Sequence, residues 1–206
     1  TIGHFFDAAE NLFLKGDEKR ATALLNQLVA ARPMEESKQV ALDIAARFME
    51  VRLSLPALRL YQTFAPHTDG VEGKRIRLIC AYLNLDLGFQ EQSQRFIDQA
   101  DQIEVDDLQS DATRMLVAGI QAMKNDDVDR ALNKIGFALS VLEPTDSLKV
   151  VALYYNFKSY QALEDVSISE SILREMQLLF GRSKYTEELS ESSSVVPQAA
   201  ELNEEG

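Results

Sequence analysis

Small side chains recur at nearly constant intervals along this chain, and no other feature narrows the choice of fold as much. Five of them lie 36, 36, 38 and 38 residues apart, at Ala21, Ala57, Ser93, Ala131 and Ser169. Four positions later comes a large apolar residue, at Leu25, Tyr61, Ile97, Ile135 and Leu173. Twelve positions before the small residue stand Ala9, Ala45, Ala81, Gly119 and Phe157, four of them small. Small residues let two helix backbones approach closely, and large ones fill the adjacent groove. The interval therefore predicts five repeated units, each an antiparallel pair of helices.

Helix-breaking residues are scarce, with nine glycines and five prolines among 206 residues. This scarcity favours helices over a fold built from many turns. Hydrophobic periodicity and the placement of the breakers predict ten helices. Their approximate ranges are 2–15, 18–31, 35–51, 54–65, 71–87, 89–102, 107–124, 127–142, 147–163 and 167–180. The predicted fold is all-α, an α-helical solenoid of about five antiparallel helix pairs that occupies residues 1–182.

Residues 183–206 differ in composition from the repeats. They are polar, acidic and serine-rich, and Ser190, Ser192, Ser193 and Ser194 surround Glu191. Such a composition does not bury enough apolar surface to offset the entropy lost on ordering. We therefore predict an acidic tail that is disordered from about residue 186 onward. A first residue other than methionine is consistent with a processed product or a fragment of a longer protein.

The chain is acidic, since 21 Lys and Arg against 33 Asp and Glu give a formal charge of 21 − 33 = −12. Nucleic acid phosphates and anionic membrane surfaces are bound by basic patches, so neither is the expected partner. No apolar run approaches the roughly 18 residues of a membrane-spanning helix, and no signal segment opens the chain. We expect a cytoplasmic protein without membrane insertion. A periplasmic location stays open because the native N-terminus is not known.

The sequence offers little for catalysis. His4 and His67 lie in different units, and Cys80 occupies an inter-helix packing position typical of a small buried side chain. A single cysteine excludes an intramolecular disulfide. The acidic groups at 101–107 and 126–129 fall at turns, where carboxylates cap helices, and they lack the glycine and terminal glutamate of a calcium loop. We predict no enzymatic activity, no metal site and no cofactor.

The repeated frame resembles the tetratricopeptide repeat family, whose unit is a helix-turn-helix of about 34 residues. The first unit carries the resemblance best, with Phe5, Ala9, Gly16, Ala21, Leu25 and Pro33 at matching positions. The fourth unit matches with Gly119, Ala131, Ile135 and Ala138. The chain departs from the family in its longer interval, in its lack of tryptophan, and in the large side chains Leu28, Phe64 and Met176. The resemblance implies a right-handed superhelix with a concave groove lined by the first helix of each unit. It also implies a module that binds proteins.

The resemblance further implies which side chains face that groove. The groove-facing positions hold mainly apolar residues, namely Phe6, Phe13, Leu42, Met49, Leu78, Tyr82, Leu85, Leu116, Ile120, Met123 and Tyr154. An exposed apolar patch marks a binding surface. This one suits an amphipathic helix or an extended apolar segment, and its methionines allow adaptation. Three interpretations stay open: an open groove, a homodimer interface, and a closed core in which these residues pack together because the superhelix is tight or because the helix near Ile172–Phe180 folds back.

Two functions follow as hypotheses. The first is a non-enzymatic protein-protein interaction module that binds an apolar or amphipathic segment of another protein in its groove; a chaperone or assembly factor is the sharpest version. The second is a regulatory or sensor domain of a larger protein, which binds a peptide or a neighbouring domain and passes on a conformational change. In both, the partner is a protein or peptide.

Overall fold

The computed structural model describes residues 2–30 and 34–194, and there the chain forms eleven α-helices. They are α1 (Ile2–Leu14), α2 (Glu18–Ala30), α3 (Met34–Glu50), α4 (Ser54–Phe64), α5 (Gly70–Asp86), α6 (Gln90–Asp101), α7 (Leu108–Lys124), α8 (Val128–Val141), α9 (Ser147–Ala162), α10 (Val166–Phe180) and α11 (Lys184–Ser194). A 3-10 turn, Ala65–His67, follows α4. The ten predicted helices are confirmed as α1 to α10, and each end lies within one residue of its predicted position.

The five units share one turn between their two helices. Its central residue has a left-handed backbone, with φ of 76° at Gly16, 85° at Gly88 and 58° at Arg52, Asp126 and Glu164. In each turn the amide of this residue donates to the carbonyl three positions earlier, and the next amide donates to the carbonyl five positions earlier. These bonds satisfy carbonyls that the end of the first helix leaves free. The regular spacing in the sequence therefore corresponds to a turn of the same backbone conformation at the same point of each unit.

Carboxylates cap the starts of several helices. The side chain of Asp107 accepts a hydrogen bond from the amide of Ser110 at 2.7 Å, and the side chain of Asp146 accepts one from Leu148 at 3.0 Å. Asp127 caps α8 in the same way. Such caps satisfy amides that have no partner within the helix. Two of these caps, Asp107 and Asp127, belong to the acidic groups that the sequence placed at turns.

Each first helix packs on the second helix of its unit, and successive units pack on each other. Helix α4 contacts α5, α5 contacts α7, and α8 contacts α9. Helix α3 also contacts α9, so the second unit meets the fifth. The Arg75 guanidinium on α5 pairs with Asp146 at the start of α9, which adds a further link across the array. The helical repeat fold thus curls back on itself and encloses part of the face that its first helices share.

The fourth unit shows how closely the paired helices approach. A Cβ atom built on Gly119 in α7 would lie 2.6 Å from Cγ1 of Ile135 and 3.4 Å from the carbonyl oxygen of Ala131, both in α8. Ile135 and Ala131 are fully buried. Because a β-branched side chain in a filled core has no alternative position, the small residue at this point sets the distance between the helices.

We expect Gly119→Ala to lower the free energy of unfolding by about 1–3 kcal/mol, because the new methyl group overpacks the α7–α8 contact. Gly136→Ala is the matched control. Gly136 is exposed on α8 and a Cβ there meets nothing within 4 Å, so alanine stabilises the helix by about 0.5–1 kcal/mol. Urea unfolding followed by circular dichroism measures both. Equal effects of the two substitutions would contradict the close approach at Gly119.

The largest departure from the predicted organisation is α11. The sequence predicts an acidic tail at 183–206 that is disordered from about residue 186 onward, and the structure has residues 184–194 as an ordered helix that packs on α9 and α10. The tail prediction is wrong for this segment, because its few apolar side chains find a partner surface elsewhere in the fold. Residues 195–206, the rest of the predicted tail, lie outside the described residues.

Candidate functional site

The side chains predicted to face the groove lie mostly in the interior. Those of Met49, Leu78, Tyr82, Leu85, Leu116, Ile120 and Tyr154 are buried, and those of Phe13, Leu42 and Met123 are half-buried against the same core. The ring of Phe13 meets Phe48 edge-on, with centroids 5.5 Å apart. The side chain of Phe6 lies outside the described part of the chain. The curled array and α11 together cover this apolar face.

Helix α11 enters the groove at a well-defined N-terminus. The Ser183 hydroxyl accepts a hydrogen bond from the amide of Tyr185 at 3.2 Å and donates one to the carbonyl of Glu50, at the end of α3, at 3.0 Å. The Ser183 carbonyl accepts from the amide of Glu187 at 3.0 Å. Serine is a favoured residue at this position because its short side chain satisfies free amides of the first turn. One residue thus begins α11 and fixes it to α3.

The inward face of α11 is narrow. Tyr185 and Leu189 are 1% and 0% exposed, and Thr186 is also buried. Residues four apart lie on the same side of a helix, so Tyr185 and Leu189 point together into the groove. Lys184, before these anchors, and Ser192, in the last turn of the helix, are exposed. The sequence signal for this amphipathic helix consists of two large apolar residues among polar ones, which composition alone does not reveal.

Three tyrosines from three helices meet at the buried face of α11. The hydroxyl groups of Tyr82 on α5 and Tyr185 on α11 lie 2.6 Å apart and share a hydrogen bond. The ring of Tyr154 on α9 packs against Tyr185 at a centroid distance of 5.2 Å and an interplanar angle of 62°. Aromatic pairs favour such inclined contacts over a face-to-face sandwich. Two residues predicted to line the groove, Tyr82 and Tyr154, therefore contact a helix.

An ion pair lies beside this cluster of tyrosines. The guanidinium of Arg52, in the turn between α3 and α4, pairs with the carboxylate of Glu188 on α11. The hydroxyl of Tyr154 donates to the same carboxylate at 2.7 Å. The Arg52 guanidinium carbon also lies 5.0 Å from the Tyr185 ring centre and 5.3 Å from that of Tyr154. A guanidinium is suited both to the ion pair and to the contacts with the tyrosine rings, because it is planar and weakly hydrated.

The pKa values of the three tyrosines and of Arg52 are all raised in this cluster. Burial, together with the Glu188 carboxylate, raises the pKa of Tyr154 to about 12. Burial also raises the pKa of Tyr82 and of Tyr185 well above the usual range of a phenol. Although desolvation acts against it, the carboxylate of Glu188 raises the pKa of Arg52. The phenols are therefore neutral and available as hydrogen-bond donors.

Sequence reasoning missed Arg52, Tyr185, Glu188 and Leu189. Arg52 occupies the turn position that Gly16 and Gly88 fill in other units, so it stands out only once the turns are aligned. The other three belong to the segment assigned to the tail. The repeat frame predicted Tyr82 and Tyr154 as groove residues, and the tertiary structure places α11 against both of them.

The groove is not filled along its whole length. A cavity of about 440 Å³ lies among α3, α5, α7 and α9, away from α11. Leu42, Ile76 and Ile79 form part of its wall, and Arg75 and Asp146 lie at its edge. Leu42 is one of the residues predicted to face the groove. This end of the concave face is therefore still open to solvent.

The residues considered for catalysis stand apart from this site. His4 and His67 are exposed in separate units. Cys80 is fully buried, and burial raises the pKa of its thiol to about 12, which disfavours the reactive thiolate. Within residues 2–30 and 34–194, no group of three or more His, Cys, Asp or Glu side chains is placed to hold a metal ion. In the same residues no helix has the length and hydropathy to cross a bilayer.

Comparison of the chain with protein-family models, with curated proteins and with solved structures finds no match in any of the three.

Proposed function

We propose that this protein is a non-enzymatic interaction module that binds a helical segment of another polypeptide in the groove between α3, α5 and α9. The observation that carries the proposal is the seating of α11. A short helix with two large buried side chains lies on the surface that the repeat frame assigns to partner binding. Helix-in-groove binding uses this same arrangement of apolar anchors one turn apart.

The contacts of α11 suit reversible docking. Burial of one large apolar side chain contributes roughly 1.5–3 kcal/mol, and α11 has two such anchors, Tyr185 and Leu189. Ordering of backbone and side chains opposes this gain. The net docking free energy is therefore expected to be small beside that of the whole repeat array. A helix held in this way leaves the groove at times and gives another helix access to it.

The covalent link between α11 and the rest of the chain determines how a partner competes with α11 for the groove. A covalently attached helix acts at an effective concentration of about millimolar, so a partner of equal intrinsic affinity occupies the groove poorly at micromolar concentration. Partner binding is then coupled to release of α11. This coupling is the specific feature that favours the regulatory alternative, in which a bound segment displaces α11 and so changes the conformation of the chain.

A peptide of residues 181–194 with a fluorescent label tests the proposal against the full-length chain. We expect Leu189→Ala in the protein to strengthen peptide binding at least about tenfold, because the substitution weakens α11 and leaves the groove empty more often. Ser192→Ala, at an exposed position in the last turn of α11, is the matched control and is expected to bind like the wild type. Fluorescence anisotropy gives both affinities.

Two results would contradict the proposal. One is the absence of peptide binding to the Leu189→Ala protein while its circular dichroism stays that of the wild type. The other is a wild-type dimer in light scattering that Leu189→Ala dissociates, since the occupant of the groove would then be α11 of a second copy.

A further inference from the structure

Resting on the proposed function, we infer that the partner is an acidic amphipathic helix that presents a tyrosine, a carboxylate three residues later and a leucine four residues later. The resident helix α11 has this pattern at Tyr185, Glu188 and Leu189. The groove has a separate polar group for the tyrosine and for the carboxylate, and it buries the leucine completely. The pattern is therefore a recognition rule as well as a description of α11.

The tyrosine position is specified by its hydroxyl group. Tyr82 is fully buried, and the hydroxyl of Tyr185 lies 2.6 Å from its own. A phenylalanine at this position fills the same space and leaves the Tyr82 hydroxyl without that partner, which carries the penalty of a buried unpaired polar group. The groove therefore discriminates between two rings of nearly equal size.

The carboxylate position is specified by Arg52. Its guanidinium is half-buried between the rings of Tyr154 and Tyr185 and pairs with Glu188, to which Tyr154 also donates. A hydrogen bond that involves charged groups is stronger than a neutral one and depends more on geometry. Lys158, whose Nζ lies 5.6 Å from the Tyr154 ring centre, adds positive charge on the same side. Arg52 and Lys158 thus give this end of the groove positive charge, although Asp86 also acts on Arg52 and the chain as a whole carries −12.

The backbone of Arg52, which pairs with Glu188, has an unusual conformation. Its φ of 58° falls in the left-handed region, where glycine is the least strained residue, and glycine fills the equivalent turn position at Gly16 and Gly88. Asp126 and Glu164 share the conformation, but their side chains are exposed. Arg52 alone among these five turn residues is half-buried and reaches α11. The turn therefore gives the second unit a cation at the mouth of the groove.

Three labelled peptides of residues 181–194 test this rule against the full-length Leu189→Ala protein. We expect the Glu188→Gln peptide to bind about tenfold more weakly than the unaltered peptide. The loss is moderate because Asp86 also acts on Arg52 and stays in place. The Glu187→Gln peptide changes the net charge equally, yet Glu187 pairs with Lys184 within its own helix. It is expected to bind within twofold of the unaltered peptide.

A charge exchange completes the test. The full-length Leu189→Ala protein with Arg52→Glu is expected to lose affinity for the unaltered peptide and to regain most of it for a peptide with Glu188→Arg. Equal binding of the Glu188→Gln and Glu187→Gln peptides would overturn the rule while leaving helix binding itself intact. Failure of every peptide to bind would instead overturn the proposed function. The comparison of the peptides uses a protein with Arg52 intact, so it does not depend on the folding of the Arg52→Glu variant.

Discussion

Replacing Leu116 by glutamate is expected to unfold the protein. Leu116 lies in α7 and is 0% exposed within the core that α5, α7 and α9 share. A carboxylate placed there loses its hydration among apolar side chains, which costs several kcal/mol. Since a domain of this kind has about 5–15 kcal/mol of stability in total, the helical circular dichroism and the cooperative thermal transition are expected to be lost or strongly reduced.

The matched control for Leu116→Glu is Leu178→Glu. Leu178 lies on the outer side of α10 and is 84% exposed, so a charge there changes the stability by no more than about 0.5 kcal/mol. If the repeat formed an open groove, as the sequence allowed, Leu116→Glu would keep the helical signal and lose only a partner. A folded Leu116→Glu protein with a wild-type melting temperature would therefore contradict the closed arrangement.

Tyr185→Ala is expected to release α11 and leave the ten-helix array folded. Removal of a fully buried aromatic side chain costs about 3–5 kcal/mol, which exceeds the net docking free energy expected for so short a helix. The released segment becomes accessible to a protease that cleaves after glutamate, and Glu187 and Glu188 are two of its sites in α11. Limited proteolysis with mass spectrometry measures the cleavage rate at these two residues.

Tyr185→Phe measures the contribution of the Tyr185 hydroxyl group separately from that of its ring. The phenylalanine keeps the contact with Tyr154 and leaves the Tyr82 hydroxyl unpaired, for a cost of about 1–3 kcal/mol. Its cleavage rate is expected to lie between those of the wild type and Tyr185→Ala. Cleavage of Tyr185→Ala at the wild-type rate, or collapse of its entire helical signal, would show that α11 is not held as a separate docked element.

The repeat in the sequence predicted the helices because each unit repeats the same local physics. The left-handed turn residue, the small residue five positions later and the large one four positions beyond that recur in register, and Gly119 against Ile135 shows why the small residue is needed. Local sequence preference and tertiary packing agree throughout these units. This agreement explains why the ends of α1 to α10 lie so close to their predicted positions.

The local sequence pattern could not predict that α11 packs into the groove. An apolar stripe such as Leu78, Leu116 and Ile120 has the same sequence signature whether it lines a binding surface or lies in a core. Tyr185 and Leu189 are too few among their polar neighbours to predict a helix. Their burial depends on Tyr82, Tyr154 and the contact between α3 and α9, all distant in sequence. Contacts between residues distant in sequence therefore decide whether the apolar stripe is buried and whether residues 184–194 form an ordered helix.

Native-state hydrogen exchange of the wild-type chain tests the central claim, that α11 is a reversible occupant of the groove, most directly. Mass spectrometry across a series of low urea concentrations gives the opening free energy of the α11 amides and that of the α5, α7 and α9 amides. We predict that the α11 amides are protected but open with a clearly smaller free energy than the core helices. Unprotected α11 amides would mean that the helix is not docked. Opening of α11 only together with α5, α7 and α9 would mean that it is a permanent part of the core, and either result would contradict the account.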